Sequence, residues 1–411
     1  MKVLFLFLDM IRAEQLSIVN DEIKDFNPLN EKLKDIGGTL YPNCYTSAPD
    51  TTRSMAALWS GLSPKDNGCD TRIKWAKDFL DDKKDTIFDN FIKNDYDINI
   101  FHEPQERKVG LFPKKVYDIA NFSEDYDLAK FLKTTKIEDN SLTYIGISDF
   151  HLAYNDSGYS NEGAKLSFEI LTQAVDMVFD NLDKDEFDHI FIFSDHGFAF
   201  AHEVLNPYNY VSNIRSNILM IHRIKNQNKI EKNEKFCSIM SILPTIDEIF
   251  EDKKQRYDFS LFDKKEREYY TIIDHFNYQP QINHNIELWG LIFKDKIYSR
   301  TLEQGYILDS KDFSNYQVSI IDEYDDILRV ETEFAKYEKE YKTFLRHKKW
   351  MKKEHDGTIS HLSINIKRTK TTNIFRRILN KLKSINGCMF SCIIPKKSKK
   401  SLGFKEVLKV D

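Results

Sequence analysis

A run of four apolar residues, 190–193, leads directly into the polar sequence Ser194-Asp195-His196-Gly197. The run predicts a buried strand, and catalytic side chains in open parallel α/β sheets collect where the strands end at their carboxyl edge. Carboxylate and imidazole groups are common ligands of Zn²⁺ and Mn²⁺. We therefore predict that Asp195 and His196 bind a metal, and that Gly197 lets the backbone turn sharply after them.

Strand-like and helix-like segments alternate along the first 250 residues or so. The strand candidates are residues 3–8, 98–101, 142–147, 190–193 and 218–221, and amphipathic helical patterns lie near residues 54–62, 85–94, 161–182 and 238–251. This alternation predicts an α/β fold with a mostly parallel central sheet and helices on both of its faces. Hairpin-like spacing in residues 268–310 predicts a small antiparallel sheet after the main one.

The chain divides into four predicted regions. Residues 1–265 would form the α/β domain that holds the site, and residues 266–320 would form a small antiparallel subdomain packed on it. Residues 321–366 are predicted to be a charged helical extension, and residues 367–411 a basic amphipathic tail.

Charge is unevenly distributed along the chain. The net charge is −5, but residues 367–411 contain 13 Lys and Arg against two acids, so residues 1–366 carry −16. Residues 373–400 combine a basic amphipathic helix pattern with a polybasic cluster, which suits an anionic membrane surface. A helix docked on the acidic body explains the same pattern. The negative charge of the body argues against a nucleic-acid partner.

The sequence also bears on the location of the protein. Its five scattered cysteines do not suggest a disulfide framework. The apolar run at residues 3–8 is too short for a signal peptide, and no stretch has the length of a transmembrane helix. These features predict a cytoplasmic protein, which the basic tail could hold on the inner face of the membrane.

Three further segments carry candidate site residues. Asp9 follows the first strand, where an Asp otherwise serves as a turn or helix-capping residue. Thr51 opens a helical pattern, where a hydroxyl is usually a cap but can also be an activated nucleophile beside a metal. Arg53, one turn into that helix, can hold the oxygens of a phosphate or sulfate. His151 follows the strand at residues 142–147.

The order of these segments resembles the sulfatase-like branch of the alkaline phosphatase superfamily. Four motifs carry the resemblance: Asp9 after the first strand, Asp50-Thr51-Thr52-Arg53 followed by Ser60-Gly61-Leu62, Asp149-Phe150-His151, and Ser194-Asp195-His196-Gly197. Residues 214–220, 242–247 and 289–309 extend the match, which covers roughly residues 1–310.

The resemblance implies one divalent-metal site, whose ligands would be Asp9, Thr51, Asp195 and His196. Thr51 would also be the nucleophile. The other implied catalytic residues are Arg53, which would neutralise charge, and His151 and His202, which would bind substrate oxygens or protonate the leaving group. Such a ligand set suits Zn²⁺ or Mn²⁺, with Ca²⁺ and Mg²⁺ as alternatives.

Two departures from the sulfatase pattern bear on the reaction. Sulfatases oxidise a Cys or Ser to formylglycine, and Thr51 cannot become that aldehyde. They also begin with two adjacent acids, and Met10 stands in place of the second one. A Thr in this place is similar to the phosphoethanolamine and phosphoglycerol transferases, which use a Thr beside a single metal.

We therefore expect a metal-dependent phosphoryl-transfer enzyme that works through a phospho-threonine intermediate. Its substrate would be a phosphodiester or a glycan- or lipid-linked compound, such as a surface-polysaccharide precursor. Two alternatives stay open. One is a hydrolase of sulfate or phosphate monoesters, and the other is a catalytically inactive member that binds glycan or lipid.

Overall fold

An eight-stranded sheet forms the centre of the protein. The computed structural model describes residues 1–23, 27–69, 80, 83–103, 111–200, 211–252, 254–275, 287–294, 296–300, 305–309 and 318–321. The strands of the large sheet are β1 (Lys2–Leu8), β2 (Gly38–Leu40), β4 (Asp97–Phe101), β5 (Asn121–Phe122), β6 (Ser141–Ile147), β7 (His189–Phe193), β8 (Met220–Ile224) and β9 (Ile230–Lys232). Their order across the sheet is β5-β4-β6-β1-β7-β8-β2-β9.

Helices connect these strands and cover the sheet. They are α1 (Pro28–Ile36), α2 (Thr51–Ser60), α3 (Pro64–Asn67), α4 (Ile87–Lys93), α5 (Lys114–Tyr117), α6 (Leu128–Thr134), α7 (Asp149–Asp156), α8 (Asn161–Asn181), α9 (Asn213–Ser216) and α10 (Ile242–Ile249). Short 3₁₀ turns lie at Ala13–Gln15, Lys184–Glu186 and Ile239–Ser241. The four helices predicted from the sequence correspond to α2, α4, α8 and α10.

Strand β1 shows why the sheet must be covered on both faces. Val3, Phe5 and Phe7 pack in one buried cluster with residues of α2, α4 and α10, whereas the alternating leucines of β1 pack in a second cluster with α1 and α8. A strand that is apolar on both faces is typical of a buried parallel sheet. The predicted α/β fold, with a mostly parallel sheet between two helical layers, is confirmed.

The register of three adjacent strands brings their carboxyl ends together. β1 pairs in parallel with β6, where Leu8 lies opposite Ile147, and with β7, where Phe7 lies opposite Phe193. The residues that follow these three strands therefore share one edge of the sheet. β8 runs antiparallel to β7, and it begins at Met220, two residues later than the predicted start.

A second, smaller sheet is antiparallel, as predicted. It consists of β11 (Tyr270–His275), β12 (Glu287–Ile292), β13 (Lys296–Arg300), β14 (Gly305–Asp309) and β15 (Val318–Ile321), in that order. Tyr270, Ile272 and Leu291 belong to the same buried cluster as one face of the large sheet. Two further short strands, β3 (Cys44–Tyr45) and β10 (Cys237–Ser238), pair in parallel and form a separate two-stranded sheet.

The predicted C-terminal regions lie outside the described residues. These are the charged extension, apart from Ile321 at the end of β15, and the basic tail at residues 367–411. The boundaries proposed for the four regions stay predictions. Among the helices that the structure describes, none is long and apolar enough to cross a membrane.

Candidate active site

Three buried side chains meet at the carboxyl edge of the large sheet. Asp9 follows β1, and Asp195 and His196 follow β7, the strand next to it. Each of the three offers one ligand atom, and these atoms all lie within 4.8 Å of one another. Asp9 and Asp195 are fully buried and His196 is 4% exposed. The structure thus brings together three of the four predicted metal ligands.

The backbone around this cluster is fixed by hydrogen bonds between strand ends. The N–H of Asp9 donates to the carbonyl of Ile147 (3.0 Å), and the N–H of Met10 donates to Asp195 Oδ1 (3.0 Å). Met10 has a φ of 66°, a left-handed conformation that is costly for a residue with a side chain. Such strain is held at functional sites when the surroundings determine it. Met10 therefore contributes its main chain to the site.

The two carboxylates fit a divalent cation. Among the described residues, Asp9 Oδ1 and Asp195 Oδ2 are buried oxygens with no hydrogen-bond partner. Burial, and then the charge of Asp9, raise the pKa of Asp195 well above its usual value. A buried carboxylate oxygen without a hydrogen-bond partner is unfavourable, and two negative charges side by side repel each other. A metal bound between these oxygens would offset both effects.

His196 has the geometry of a neutral metal ligand. Its Nδ1 lies 2.9 Å from the carbonyl oxygen of Gly197, so the proton is assigned to Nδ1 and the lone pair to Nε2. Nε2 points toward Asp195 Oδ2, 3.3 Å away. Burial, and then the positive charge of Arg215, lower the pKa of His196 to about 3. The imidazole is therefore neutral near pH 7, as a metal ligand must be.

Thr51, the fourth predicted ligand, begins α2 and faces the same cluster. Its Oγ1 lies 3.5 Å from His196 Nε2. Sequence reasoning left open that this hydroxyl caps the helix, but Asp50 is the N-cap and accepts from the N–H of Arg53 (3.2 Å). Ser54 ties the helix to the end of β7 by donating to the carbonyl of Asp195 (2.8 Å). The Thr51 hydroxyl is thus placed at the positive end of a helix, directed to the site.

Arg53 is 1% exposed, and its guanidinium pairs with Asp50. Its charge is therefore balanced by that carboxylate inside the protein. The role in neutralising substrate charge that the resemblance implies for Arg53 stays a prediction.

His151 lies in the first turn of α7 and contacts the cluster at Asp9. Its Nδ1 is 2.8 Å from Asp9 Oδ2, and its side chain is 19% exposed. The structure places His151 next to a predicted metal ligand, and its role with the substrate stays a prediction. His202 lies outside the described residues.

Gly197 has a different role from the one that the sequence suggested. It does not adopt a left-handed conformation, so no sharp turn requires it. A Cβ atom on residue 197 would instead lie 2.0 Å from the carbonyl oxygen of Ile214. Glycine is needed because another backbone passes close by. The next residue along that backbone, Arg215, donates to the carbonyl of Gly197 (2.9 Å), a contact that sequence reasoning missed.

Comparison with known proteins agrees with the fold. Residues 2–152 match the Sulfatase family model. A 2-O GAG sulfatase is similar with a TM-score of 0.54 and 12% identity, over 87% of this chain and 93% of that one. An alkaline phosphatase superfamily protein from Vibrio parahaemolyticus has a TM-score of 0.53 and 13% identity, over 80% of this chain and 84% of that one. A phosphonate monoester hydrolase from Silicibacter pomeroyi has a TM-score of 0.56 and 10% identity, over 82% of this chain and 94% of that one. At these identities the structures establish the shared fold.

Comparison with curated protein sequences gives no match. The family match includes Asp9, Thr51 and His151, and the remaining members of the cluster, Asp195 and His196, follow it on the next strand of the same sheet. The family match and the fold together support an enzyme. Residues 2–152 are thus similar to the Sulfatase family, and the fold is shared with solved structures of sulfatases and of the alkaline phosphatase superfamily.

Proposed function

We propose that this enzyme transfers a phosphoryl group through a covalent intermediate on Thr51. One observation carries the proposal: the Thr51 hydroxyl lies 3.5 Å from His196 Nε2, beside the buried Asp9–Asp195–His196 cluster. Asp50 caps the helix, so the Thr51 hydroxyl is not the capping group. A free alcohol is a weak nucleophile at pH 7 and needs activation. The cluster is the feature beside Thr51 that can supply it.

Asp9, Asp195 and His196 would hold one divalent metal, with Thr51 as a further ligand. When bound, such an ion lowers the pKa of a hydroxyl and offsets negative charge on the transferred group. Zn²⁺ and Mn²⁺ suit a mixed set of carboxylate, hydroxyl and imidazole ligands, with Ca²⁺ and Mg²⁺ as alternatives. The chain itself supplies the orientation, through α2 and the ends of β1 and β7.

The proposed reaction on a phosphodiester has two displacements. First, Oγ1 of Thr51 forms a bond to phosphorus, and the bond from phosphorus to one ester oxygen breaks. The proton that Thr51 loses is balanced by the proton that the departing oxygen gains, for which His151 and His202 are the candidate donors. Second, the oxygen of water or of an acceptor hydroxyl forms a bond to the same phosphorus, the bond from phosphorus to Oγ1 breaks, and the proton that the attacking hydroxyl loses is balanced by the one that Thr51 regains. The retained substituent stays on phosphorus throughout.

Hydrolysis of sulfate or phosphate monoesters is the second candidate, and the match of residues 2–152 to the Sulfatase family model favours it. Thr51 argues for the phosphoryl reaction because it cannot form the aldehyde that sulfatases use. A third candidate is an inactive protein that binds glycan or lipid. It would have no need of a metal, so metal analysis of the purified protein separates it from the other two.

The test compares Thr51→Ala with wild type on bis-p-nitrophenyl phosphate, p-nitrophenyl phosphate and p-nitrophenyl sulfate, each with Mn²⁺ or Zn²⁺. Thr52→Ala is the matched control, because Thr52 is the neighbouring residue in the same helix turn. We expect the diester to be the best substrate and Thr51→Ala to be the variant that loses turnover. Equal turnover in wild type and Thr51→Ala would refute Thr51 as the nucleophile.

We also propose that residues 373–400 bring the enzyme to an anionic membrane surface on the cytoplasmic side, where lipid-linked substrates occur. The proposal rests on the sequence pattern of basic and apolar residues in this segment. Co-sedimentation with phosphatidylglycerol vesicles tests it, with phosphatidylcholine vesicles and a chain ending at residue 366 as controls. Binding that does not depend on the segment, or is equal for both lipids, would contradict it.

A further inference from the structure

Arg215 makes hydrogen bonds to Gly197 through both its backbone and its side chain. The N–H of Gly197 donates to the carbonyl oxygen of Arg215 (3.0 Å), and the carbonyl of Gly197 accepts from Arg215 Nη1 (2.9 Å). The carbonyl of Ile214 occupies the place of a Cβ on residue 197. Arg215 lies in α9, a single short turn, so these contacts join two loops that are 18 residues apart.

The same Gly197 carbonyl also contacts His196. It accepts from His196 Nδ1 at 2.9 Å, while Arg215 Nη1 is 3.4 Å from the same Nδ1. A carbonyl oxygen has two lone pairs and can accept from both groups. In the opposite tautomer, Nη1 would donate to Nδ1 and the imidazole proton would lie on Nε2, facing the metal cluster. The shorter contacts to the carbonyl favour the proton on Nδ1.

We propose that Arg215 is a positioning residue for His196. By holding the Gly197 carbonyl in place, it keeps the imidazole proton on Nδ1 and directs the Nε2 lone pair at the site. The inference rests on the proposed function in one respect only, namely that His196 is a metal ligand. Partners that orient a ligating histidine are worth roughly 10–100-fold in metal affinity. Arg215 would therefore act on the metal without touching it.

The experiment measures two properties of the full chain. The first is the ¹⁵N spectrum of His196 in metal-free protein, where a pyrrole-type Nδ1 and a pyridine-type Nε2 report the expected tautomer. The second is the affinity for Zn²⁺ and Mn²⁺ by equilibrium dialysis. Both are compared in wild type, Arg215→Met and Arg215→Lys. Arg256→Met is the control, because Arg256 is also partly buried and pairs with Asp247 outside the site.

We expect wild type to show the Nδ1–H tautomer and Arg215→Met to lose it, with metal affinity lower by about 10–100-fold. Arg215→Lys, which keeps one donor, should recover part of both signals, and Arg256→Met should bind metal as wild type does. An Nε2–H tautomer in wild type overturns the inference, as does Arg215→Met with unchanged spectrum and affinity. Should wild type bind no metal, the proposed metal site fails while the tautomer comparison still decides the role of Arg215.

Discussion

His151 contacts Asp9 with Nδ1 only 2.8 Å from Oδ2, so a partly exposed histidine on α7 orients the fully buried carboxylate that follows β1. The other oxygen of Asp9 has no hydrogen-bond partner among the described residues and is left for a metal. The two residues follow adjacent strands, His151 after β6 and Asp9 after β1, and their contact orients one predicted metal ligand.

Replacing His151 by Ala should weaken metal binding by roughly 10-fold or more, because Asp9 loses the group that orients it. Equilibrium dialysis with Zn²⁺ measures this directly. His189→Ala is the matched control, since His189 lies at the opposite end of β7 from the cluster. If both variants bind metal like wild type, His151 does not position Asp9, and its part would be limited to the substrate.

Asp195→Asn should have opposite effects on the metal-free and the metal-bound protein. The pKa of Asp195 is raised in the folded state, so its charged form costs stability as pH rises through that pKa. An amide keeps the acceptor for Met10 and His196 but removes the buried charge. We expect the variant to be more stable than wild type in EDTA at pH 7, by about 1–3 kcal/mol, and to gain little from added Zn²⁺.

Thermal unfolding of both proteins with and without metal tests this. Asp258→Asn serves as the comparison, because Asp258 is buried but fully engaged by Ser238, Ser241 and Tyr270. That variant should lose stability under both conditions. If Asp195→Asn is less stable than wild type in EDTA, the buried carboxylate does not destabilise the metal-free protein.

Asp50→Ala should be far more damaging than the loss of an ordinary helix cap. The substitution removes the cap of α2, worth about 0.5–2 kcal/mol, and also removes the carboxylate that pairs with the buried guanidinium of Arg53, a loss of about 3–5 kcal/mol for a buried ion pair. Asp127→Ala removes the cap of α6, and Asp127 pairs with no arginine among the described residues. Urea unfolding should give a loss for Asp50→Ala several-fold that of Asp127→Ala, and similar losses would contradict the pairing with Arg53.

His222 should make folding stability depend on pH in the acid range. It is buried against His189 (Nε2 to Nδ1, 3.1 Å), and burial followed by the charge of His189 lowers its pKa to about 3. A histidine with a lowered folded-state pKa stabilises the fold above its unfolded pKa of 6.5, and that stability is lost as pH falls toward 3. The slope is about 1.4 kcal/mol per pH unit once the unfolded state is protonated.

The variant His222→Phe keeps an aromatic ring in contact with Phe191, which stacks on His222 at 4.3 Å. Its stability should fall less steeply between pH 6 and pH 4 than that of wild type, by roughly the slope of one histidine. Comparing the two proteins cancels the contributions of the groups that do not contact residue 222, and the change includes that of the neighbouring His189. Parallel pH profiles would show that His222 does not titrate in this way.

Sequence reasoning was most successful where chemistry follows strand order. Asp9, Asp195 and His196 each follow a continuous apolar run, and parallel pairing of those runs brings their ends to one edge. The position of Thr51 came from the resemblance, and the structure adds that Asp50 takes over the capping role. Short apolar runs and their polar ends are local signals, which is why they could be read from one sequence.

The missed features depend on contacts between distant segments. Nothing in the sequence reveals that the carbonyl of Ile214 passes within 2.0 Å of a Cβ position on Gly197, so this glycine was assigned to a turn. For the same reason the sequence does not predict the contact of Arg215 with the Gly197 carbonyl, although residues 214–220 carry part of the family resemblance. The direction of β8 was equally hidden, since an apolar run does not show which way its strand pairs.

The most direct test of the central claim is anomalous diffraction from crystals grown with Mn²⁺ or Zn²⁺, because it locates the metal relative to Thr51. We predict one strong peak in contact with Asp9, Asp195 and His196, with Oγ1 of Thr51 as a further ligand. If crystals at a saturating metal concentration show no peak at this cluster, the proposed metal site is contradicted. If the peak lies too far from Thr51 for Oγ1 to be a ligand, Thr51 is contradicted as the activated nucleophile.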